Sequence, residues 1–440
     1  MPAMYALTPL KVYALDQVRD DSACMTRMER ILSALGKTTG DLVWITDESL
    51  PDVVEELQNL WPPERVPEGQ VRSFMRPIVF TRMDLSSTWP DLTPLLARCP
   101  AGTSLGILKK IYGQMTTAID QHPHHLDQRN NCVCWPTINF GTISGCPHGC
   151  QYCGAGRGGK FLTVALNLEE FMEKVVGPVI EENPWNKVFR MILDGADLIT
   201  FEPEYGLHDL FTRKLAEYEG RYGHFHTVSS NVEWMADLPH RDRLVGVWST
   251  TCEAVARHFE PGTGAAIDRI KAARKVQEMG IPVRYKFKPI IPVRNWREEY
   301  AQIIQQMLEL TEPESIGFCL YIWNTYDTLI QTLDPDLLDP ECVDAARKVQ
   351  DAMKGVRTGP FPHETRAEIY RHFIREVRRW NKDVLLYVST ETREMWDELK
   401  DELGQDPRRY ICACGSAAVP GKKLALSRAF RYSTYHPTPL

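Results

Sequence analysis

No run in the 440-residue chain is apolar for long enough to cross a bilayer, and its start, Met1-Pro2-Ala3-Met4-Tyr5, lacks a charged stretch followed by an apolar one. A membrane span and a secretory leader are therefore not expected, and the reading is a soluble cytoplasmic protein with no membrane partner. Basic charge is not in excess: 51 Lys and Arg stand against 58 Asp and Glu, for a formal net charge of -7. A protein that grips duplex nucleic acid through its phosphates ordinarily presents a basic surface, so nucleic acid is disfavoured as a partner. Internal repeats and low-complexity tracts are also missing, and so is a phosphate loop. The run Gly154-Ala155-Gly156-Arg157-Gly158-Gly159-Lys160 is glycine-rich but lacks the Lys-Ser/Thr ending of such a loop. Its use is to let backbone come close to whatever the preceding residues hold.

What is present is cysteine. Twelve thiols in a cytoplasmic chain point to metal binding and buried packing rather than disulfides. Cys146, Cys150 and Cys153 stand at C-x-x-x-C-x-x-C spacing in Ser144-Gly145-Cys146-Pro147-His148-Gly149-Cys150-Gln151-Tyr152-Cys153-Gly154. Three thiolates from one short loop can hold a cuboidal iron–sulfur cluster and leave its fourth iron without a protein ligand, open to chemistry. Structural zinc asks for four closed ligands in two separated pairs, and His148 lies inside the loop, poorly placed to reach the same metal.

Residues 1–130 read as a mixed α/β extension, with strands at Lys11–Leu15 and Leu42–Ile45 and a helix at Met25–Leu35. From 131 to 335, short apolar runs alternate with helical segments, the pattern of βα units around a parallel sheet. The expected strands are Thr137–Ile143, Val188–Leu193, His226–Ser229, Leu244–Trp248, Val283–Phe287 and Ser315–Ile322. Helices are expected at Leu168–Ile180, Leu207–Glu219, Ala265–Met279 and Glu298–Leu310. Residues 336–440 read as a helical region with a loop-like tail. The fold class is α/β, with ligands expected at the carboxyl ends of the strands. The Arg-rich stretch Glu364–Arg379 reads as a solvated, salt-bridged helix face, His122-Pro123-His124-His125 as a surface loop, and Tyr321, Trp323, Tyr326 and Trp380 as packing aromatics.

The cysteine spacing resembles that of the radical S-adenosylmethionine (SAM) superfamily. A second resemblance lies in Trp248-Ser249-Thr250-Thr251, Phe259-Glu260-Pro261-Gly262-Thr263, Arg269-Ile270-Lys271-Ala272-Ala273, Lys288-Pro289-Ile290-Ile291-Pro292 and Trp296-Arg297-Glu298-Glu299-Tyr300. Together these look like the central region of spore photoproduct lyase, over roughly residues 137–310. The resemblance implies a partial (β/α)6 barrel as the core, a [4Fe-4S] cluster on Cys146, Cys150 and Cys153, and SAM at the open iron. It also implies cleavage of SAM to a 5′-deoxyadenosyl radical, fed by a one-electron reductant such as flavodoxin or ferredoxin. By the same resemblance Ser249 and Thr251 help hold SAM, with Tyr152 beside the cofactor, and Asp194 or Asp197 accepts its amino group. The alternatives for these residues are a turn or helix cap.

The lyase has a tyrosine directly after the third cluster cysteine and a cysteine hydrogen donor in the segment matching Ile192–Asp197. Here Gly154 and Asp194 stand in those places. The initiating chemistry is expected to remain, with the fate of the substrate radical changed, so a small organic substrate is preferred over a DNA lesion. Cys252 and Cys319 are the candidate replacement hydrogen donors. Cys132-Val133-Cys134 and Cys412-Ala413-Cys414 are candidates for a second metal centre or a redox pair. A cluster- or zinc-binding interaction protein, which would not cleave SAM, is the non-enzyme alternative. Anaerobically reconstituted protein is expected to bind about four iron and four sulfide at the Cys146 loop. Replacing its three cysteines by alanine should remove that iron, and a triple variant that kept its iron and its SAM cleavage would refute the reading.

Overall fold

The computed structural model describes residues 9–60, 76–120, 132–134, 137–157, 161–193, 195–407 and 412–421. His122, His124, His125 and Asp194 lie outside the described residues. In chain order the strands begin with β1 Val12–Leu15, β2 Leu42–Ile45, β3 Ile78–Thr81, β4 Ala118–Asp120 and β5 Cys132–Val133. Then come β6 Ile138–Phe140, β7 Ile143–Ser144, β8 Leu162–Ala165, β9 Val188–Met191 and β10 Tyr222–Thr227. The last are β11 Leu244–Thr250, β12 Val283–Ile290, β13 Ser315–Leu320, β14 Leu385–Val388 and β15 Glu391–Thr392.

A five-stranded sheet runs β2-β1-β3-β8-β7 and an eight-stranded sheet runs β14-β13-β12-β11-β10-β9-β6-β4, with β5 and β15 paired apart. The expected strand Thr137–Ile143 divides after Phe140. Its first part, β6, lies parallel to β9 in the larger sheet, while β7 pairs antiparallel with β8 in the smaller one. The smaller sheet thus draws strands from both sides of residue 130. In the larger sheet every pairing along β6-β9-β10-β11-β12-β13-β14 is parallel. The C-terminal region is less helical than expected. Val384-Leu385-Leu386-Tyr387-Val388 adds β14 to the sheet, where burial on both faces suits a short apolar run. Among the described residues no helix is long and apolar enough to cross a membrane.

The two faces of the larger sheet differ in chemistry. In a parallel pair, residues in register share a face. One face carries Phe140, Phe189, Phe225, Trp248, Phe287 and Phe318 under the helices. Phe140 stacks on Phe189 at 5.8 Å, Phe225 meets Trp248 edge-on at 5.4 Å, and Phe287 meets Phe373 of the helix His363–Trp380 at 5.1 Å. The other face carries Asn139, Arg190, His224, Ser249, Lys286, Gly317 and Tyr387, linked by the registers Asn139↔Arg190, His224↔Arg190, Ser249↔Lys286, Lys286↔Gly317 and Gly317↔Tyr387. A Cβ on Gly317 would stand 2.3 Å from the Tyr387 ring, so glycine is what admits that ring to this face.

Residues 412–421 close the amino-terminal ends of these strands. The Ser416 carbonyl accepts from the Lys187 and Val188 amides at 2.8 and 2.9 Å, and the Tyr387 hydroxyl accepts from the Ala413 amide at 3.1 Å. Buried Arg284 donates to the carbonyls of Ala413 at 3.0 Å and Ala418 at 2.7 Å, and to Glu314 at 2.8 Å. The Arg-rich helix also departs from expectation. Arg366 is buried and donates to Glu391 at 2.8 Å, because this helix packs on the sheet instead of facing water throughout. Trp323 and Trp380 are exposed rather than packed, whereas Tyr321 is buried. Arg284→Met should strand Glu314 and two buried carbonyls, costing on the order of 3 kcal/mol. Urea unfolding measures the loss, and limited proteolysis should cut the released tail; a tail as resistant as wild type would refute the assignment.

Candidate functional site

The cysteine loop leaves β7 through two left-handed glycines, Gly145 at φ 88° and Gly149 at φ 63°, conformations that side chains with a Cβ disfavour. From Cys146 to Cys153 it is held by segments that follow the carboxyl ends of β9 and β11. The Gln151 amide donates to the Phe259 carbonyl at 2.9 Å, and the Gly262 amide donates to the His148 carbonyl at 2.9 Å. His148 Nδ1 lies 2.8 Å from the Gly262 carbonyl, and Nε2 lies 3.1 Å from Asp197 Oδ2. Both ring nitrogens are thereby engaged by the protein's own groups, which leaves neither free to ligate a metal.

Tyr152 donates to Glu260 Oε1 at 2.5 Å, and Glu260 forms a fully buried ion pair with Arg269. Arg269 also donates to Thr263 Oγ1 at 2.7 Å and reaches the Ser249 carbonyl at 3.5 Å. The segment 259–263 is thus a clamp under the loop, and Tyr152 is its point of attachment.

Cys146 and Cys150 are buried and Cys153 is half-buried, close enough to one another for their charges to interact. Burial pushes Cys146 up to about 12 and raises Cys150 well above its ordinary value, against smaller opposing effects. As free thiols they would stay protonated at neutral pH; a bound cation is what makes such groups thiolates. The buried guanidinium of Arg76 lies beside Cys146 and Cys153 and donates to the Ala155 carbonyl at 3.2 Å. Among the described residues no three Cys, His, Asp or Glu side chains close around a single-ion position. One zinc with thiolates at about 2.3 Å needs sulfurs about 3.8 Å apart, while a cuboidal cluster takes each thiolate on a different iron. The loop supplies three neighbouring thiols, the donor set a cuboidal cluster takes, and no closed single-zinc site.

The other expected residues divide. Ser249 lies near the carboxyl end of β11 on the polar face, its Oγ 2.7 Å from His226 Nε2. His226 Nδ1 lies 3.3 Å from Arg190, which can only donate. That fixes the tautomer: Nδ1 accepts, Nε2 donates to Ser249, and the serine proton is left to point outward. Burial, together with the Arg190 charge, holds His226 well below its ordinary value, consistent with a neutral ring. Thr251 is buried, with Oγ1 3.3 Å from the Tyr300 hydroxyl, because β11 ends at Thr250 and the chain turns there. Asp197 is buried and its carboxylate is filled by the chain's own donors: Thr227 Oγ1 at 2.8 Å, the Val228 amide at 2.9 Å, the Ile199 amide at 3.3 Å and His148. Burial alone would raise it, but these donors hold it below the ordinary carboxylate range. Tyr152 faces Glu260, as described.

Cys252 packs within the apolar core, where burial pushes it up to about 12. Cys319 is buried next to Lys288 and Lys286 on the polar face. Of the two expected donors, only Cys319 meets that face. At its floor the Sγ atoms of Cys412 and Cys414 are 3.1 Å apart, Lys286 Nζ is 3.6 Å from Cys414, and Cys134 is near enough to interact with both. Reading the sequence missed Arg190, His226, Lys286 and Lys288. The signal was present in Arg284-Tyr285-Lys286-Phe287-Lys288, whose alternation marks a strand with one polar face.

Residues 137–321 match the family model described as spore photoproduct lyase. The spore photoproduct lyases of Geobacillus sp. (strain Y412MC61) and Bacillus subtilis (strain 168) are 27% identical over 176 residues and 25% identical over 177 residues. These alignments cover 38% and 39% of this chain, and the chain spans about half the length of each relative. A solved spore photoproduct lyase mutant superposes with a TM-score of 0.58 at 15% identity, covering 87% of this chain and 98% of that one. The lyase complexed with dinucleoside spore photoproduct gives 0.57 at 15% identity, covering 88% and 98%. The fold is shared.

Breaking a buried ion pair from one side typically costs about 3–5 kcal/mol. Glu260→Gln is expected to lose stability of that order and to let the loop shed iron, since Tyr152 and Arg269 both lose their anionic partner. Urea unfolding and iron content after gel filtration measure the two effects; wild-type values in both would remove the clamp from the account of the loop.

Proposed function

We propose that this chain, a radical SAM protein that resembles spore photoproduct lyase, is an enzyme that abstracts hydrogen from an organic substrate bound against the polar face of the larger sheet. The observation that supports this best is the cysteine loop itself, clamped by 259–263 and Asp197 at the carboxyl ends of the strands. Cys146, Cys150 and Cys153 would hold the [4Fe-4S] cluster. When bound, the cluster would supply the one-electron chemistry by which SAM becomes a source of a 5′-deoxyadenosyl radical. Ser249, oriented by His226 and Arg190, offers its proton to an acceptor on SAM. Asp197 acts as a positioning residue for His148 and the loop. The strands from β6 to β13 are read as a partial (β/α)6 barrel, which β14 extends. A one-electron reductant of the flavodoxin or ferredoxin kind completes the system.

For the substrate, a small organic molecule is preferred. Gly154 has no side chain to relay a hydrogen atom and opens on free space, and Cys319 is a thiol on the polar face. A second reading, a lesion in nucleic acid, is favoured by the structural neighbour complexed with dinucleoside spore photoproduct. The two separate in one incubation of reduced enzyme with SAM and dinucleotide spore photoproduct, followed by mass. We expect SAM to be consumed, with 5′-deoxyadenosine and methionine released and no repaired dinucleotide. Multiple-turnover repair with catalytic SAM would place the lesion reading first.

A further inference from the structure

Among the described residues the polar face gathers three cationic side chains, Arg190, Lys286 and Lys288, and no carboxylate beside them. Lys286 is 2% exposed, and Arg190 and Lys288 are half-buried among neighbours that are fully buried. Among the described residues no carboxylate forms an ion pair with any of the three. Arg190 reaches His226, and its buried Nε has no partner. Lys286 reaches Cys414. The charges around Lys288 are Lys286, Arg190, Cys319 and Cys414. Arg190 and Lys286 likewise have thiols and the Tyr387 hydroxyl around them rather than acids. His224, in register with Arg190, is fully buried with both ring nitrogens unpartnered.

An isolated buried cation is strongly unfavourable, and three facing one another add repulsion. Chains keep such clusters where a ligand brings the opposite charge. The side chains set around these cations are the thiols of Cys319, Cys412 and Cys414 and the Tyr387 hydroxyl, and among the described residues no carboxylate stands with them. The exposed parts of Arg190 and Lys288 lie on strands β9 and β12, on either side of Ser249. Resting on the functional reading above, we propose that the substrate carries an oxyanion group, phosphate or carboxylate, which Arg190, Lys286 and Lys288 bind while Ser249 faces SAM. Arg190 offers a planar fork that suits either oxyanion, and the lysines serve as point charges.

The test uses the full chain, anaerobically reconstituted and saturated with SAM, at constant ionic strength. Inorganic phosphate, pyrophosphate and succinate are titrated against chloride by calorimetry and by thermal unfolding. Saturable binding and a raised Tm are expected from at least one oxyanion, and the phosphate and succinate arms tell which group is read. Lys288→Met should weaken that binding about ten- to a hundredfold, and Arg190→Gln should do likewise. In the absence of oxyanion, Lys288→Met should raise the Tm, because it relieves repulsion among unbalanced charges. A variant that instead lowers the ligand-free Tm would show those charges to be balanced already and would overturn the proposal. So would oxyanion binding that SAM abolishes competitively, or iron in excess of the Cys146 cluster that Cys412→Ser removes. Wild-type protein that cleaves SAM but ignores all three oxyanions fails this proposal alone; protein that does not cleave SAM fails the functional reading.

Discussion

The buried pair of Glu260 and Arg269 is the constraint on which the site depends. Neither charge reaches water, so each needs the other, and their joint position fixes what they touch. Glu260 holds Tyr152 inside the cysteine loop, and Arg269 reaches Thr263 and the Ser249 carbonyl. One ion pair therefore ties the loop, the turn after β11 and the end of β11 itself into a single unit. His148 and Asp197 make the corresponding tie to the segment after β9. Loop geometry is then set by strands rather than by the loop's own sequence, which is glycine-rich and has no regular structure of its own to define it.

The larger sheet separates support from chemistry. Its helix-facing side is an aromatic layer with edge-on and stacked rings, whose close packing leaves little freedom for the strands to shift. Its other side carries the groups that can bind or react: Ser249 with its His226 and Arg190 relay, the lysines of β12, and Cys319. A rigid apolar layer under a polar one holds hydrogen-bonding side chains to fixed positions, which preorganised recognition requires.

How much of this was legible in the sequence follows from where the information sits. The cysteine loop was legible because its three thiols are neighbours in the chain and their spacing is itself a geometric statement. The strands β9 to β13 were legible as apolar runs, with ends displaced by a few residues. The surroundings of Thr251 and Cys252 could not be read because β11 ends at Thr250, and alternation along a strand says nothing about the direction of a side chain beyond the turn. Asp197 illustrates a different limit. A carboxylate after a strand is equally suited to a ligand or to the chain's own amides, and only the packed structure shows Thr227, Val228 and Ile199 converging on it. The Arg190–His226–Ser249 relay joins three strands, so no local pattern could reveal it. β14 was hidden because four apolar residues between charged helices carry little periodic signal.

The likeness to spore photoproduct lyase has a boundary that bears on its meaning. The family match runs from residue 137 to residue 321 and so takes in the cysteine loop, the 259–263 clamp, Ser249 and Cys319. It stops before β14 and before residues 412–421, yet Tyr387 of β14 and the Cys412–Cys414 segment form one side and the floor of the polar face. The match thus covers the parts that would hold the cluster and SAM, whereas part of the wall a substrate would meet is built from sequence beyond it. Arg190, Lys286, Lys288 and Cys319 lie within the match, and Tyr387 and the Cys412–Cys414 segment packed beside them come from beyond it, so the polar face joins both parts of the chain.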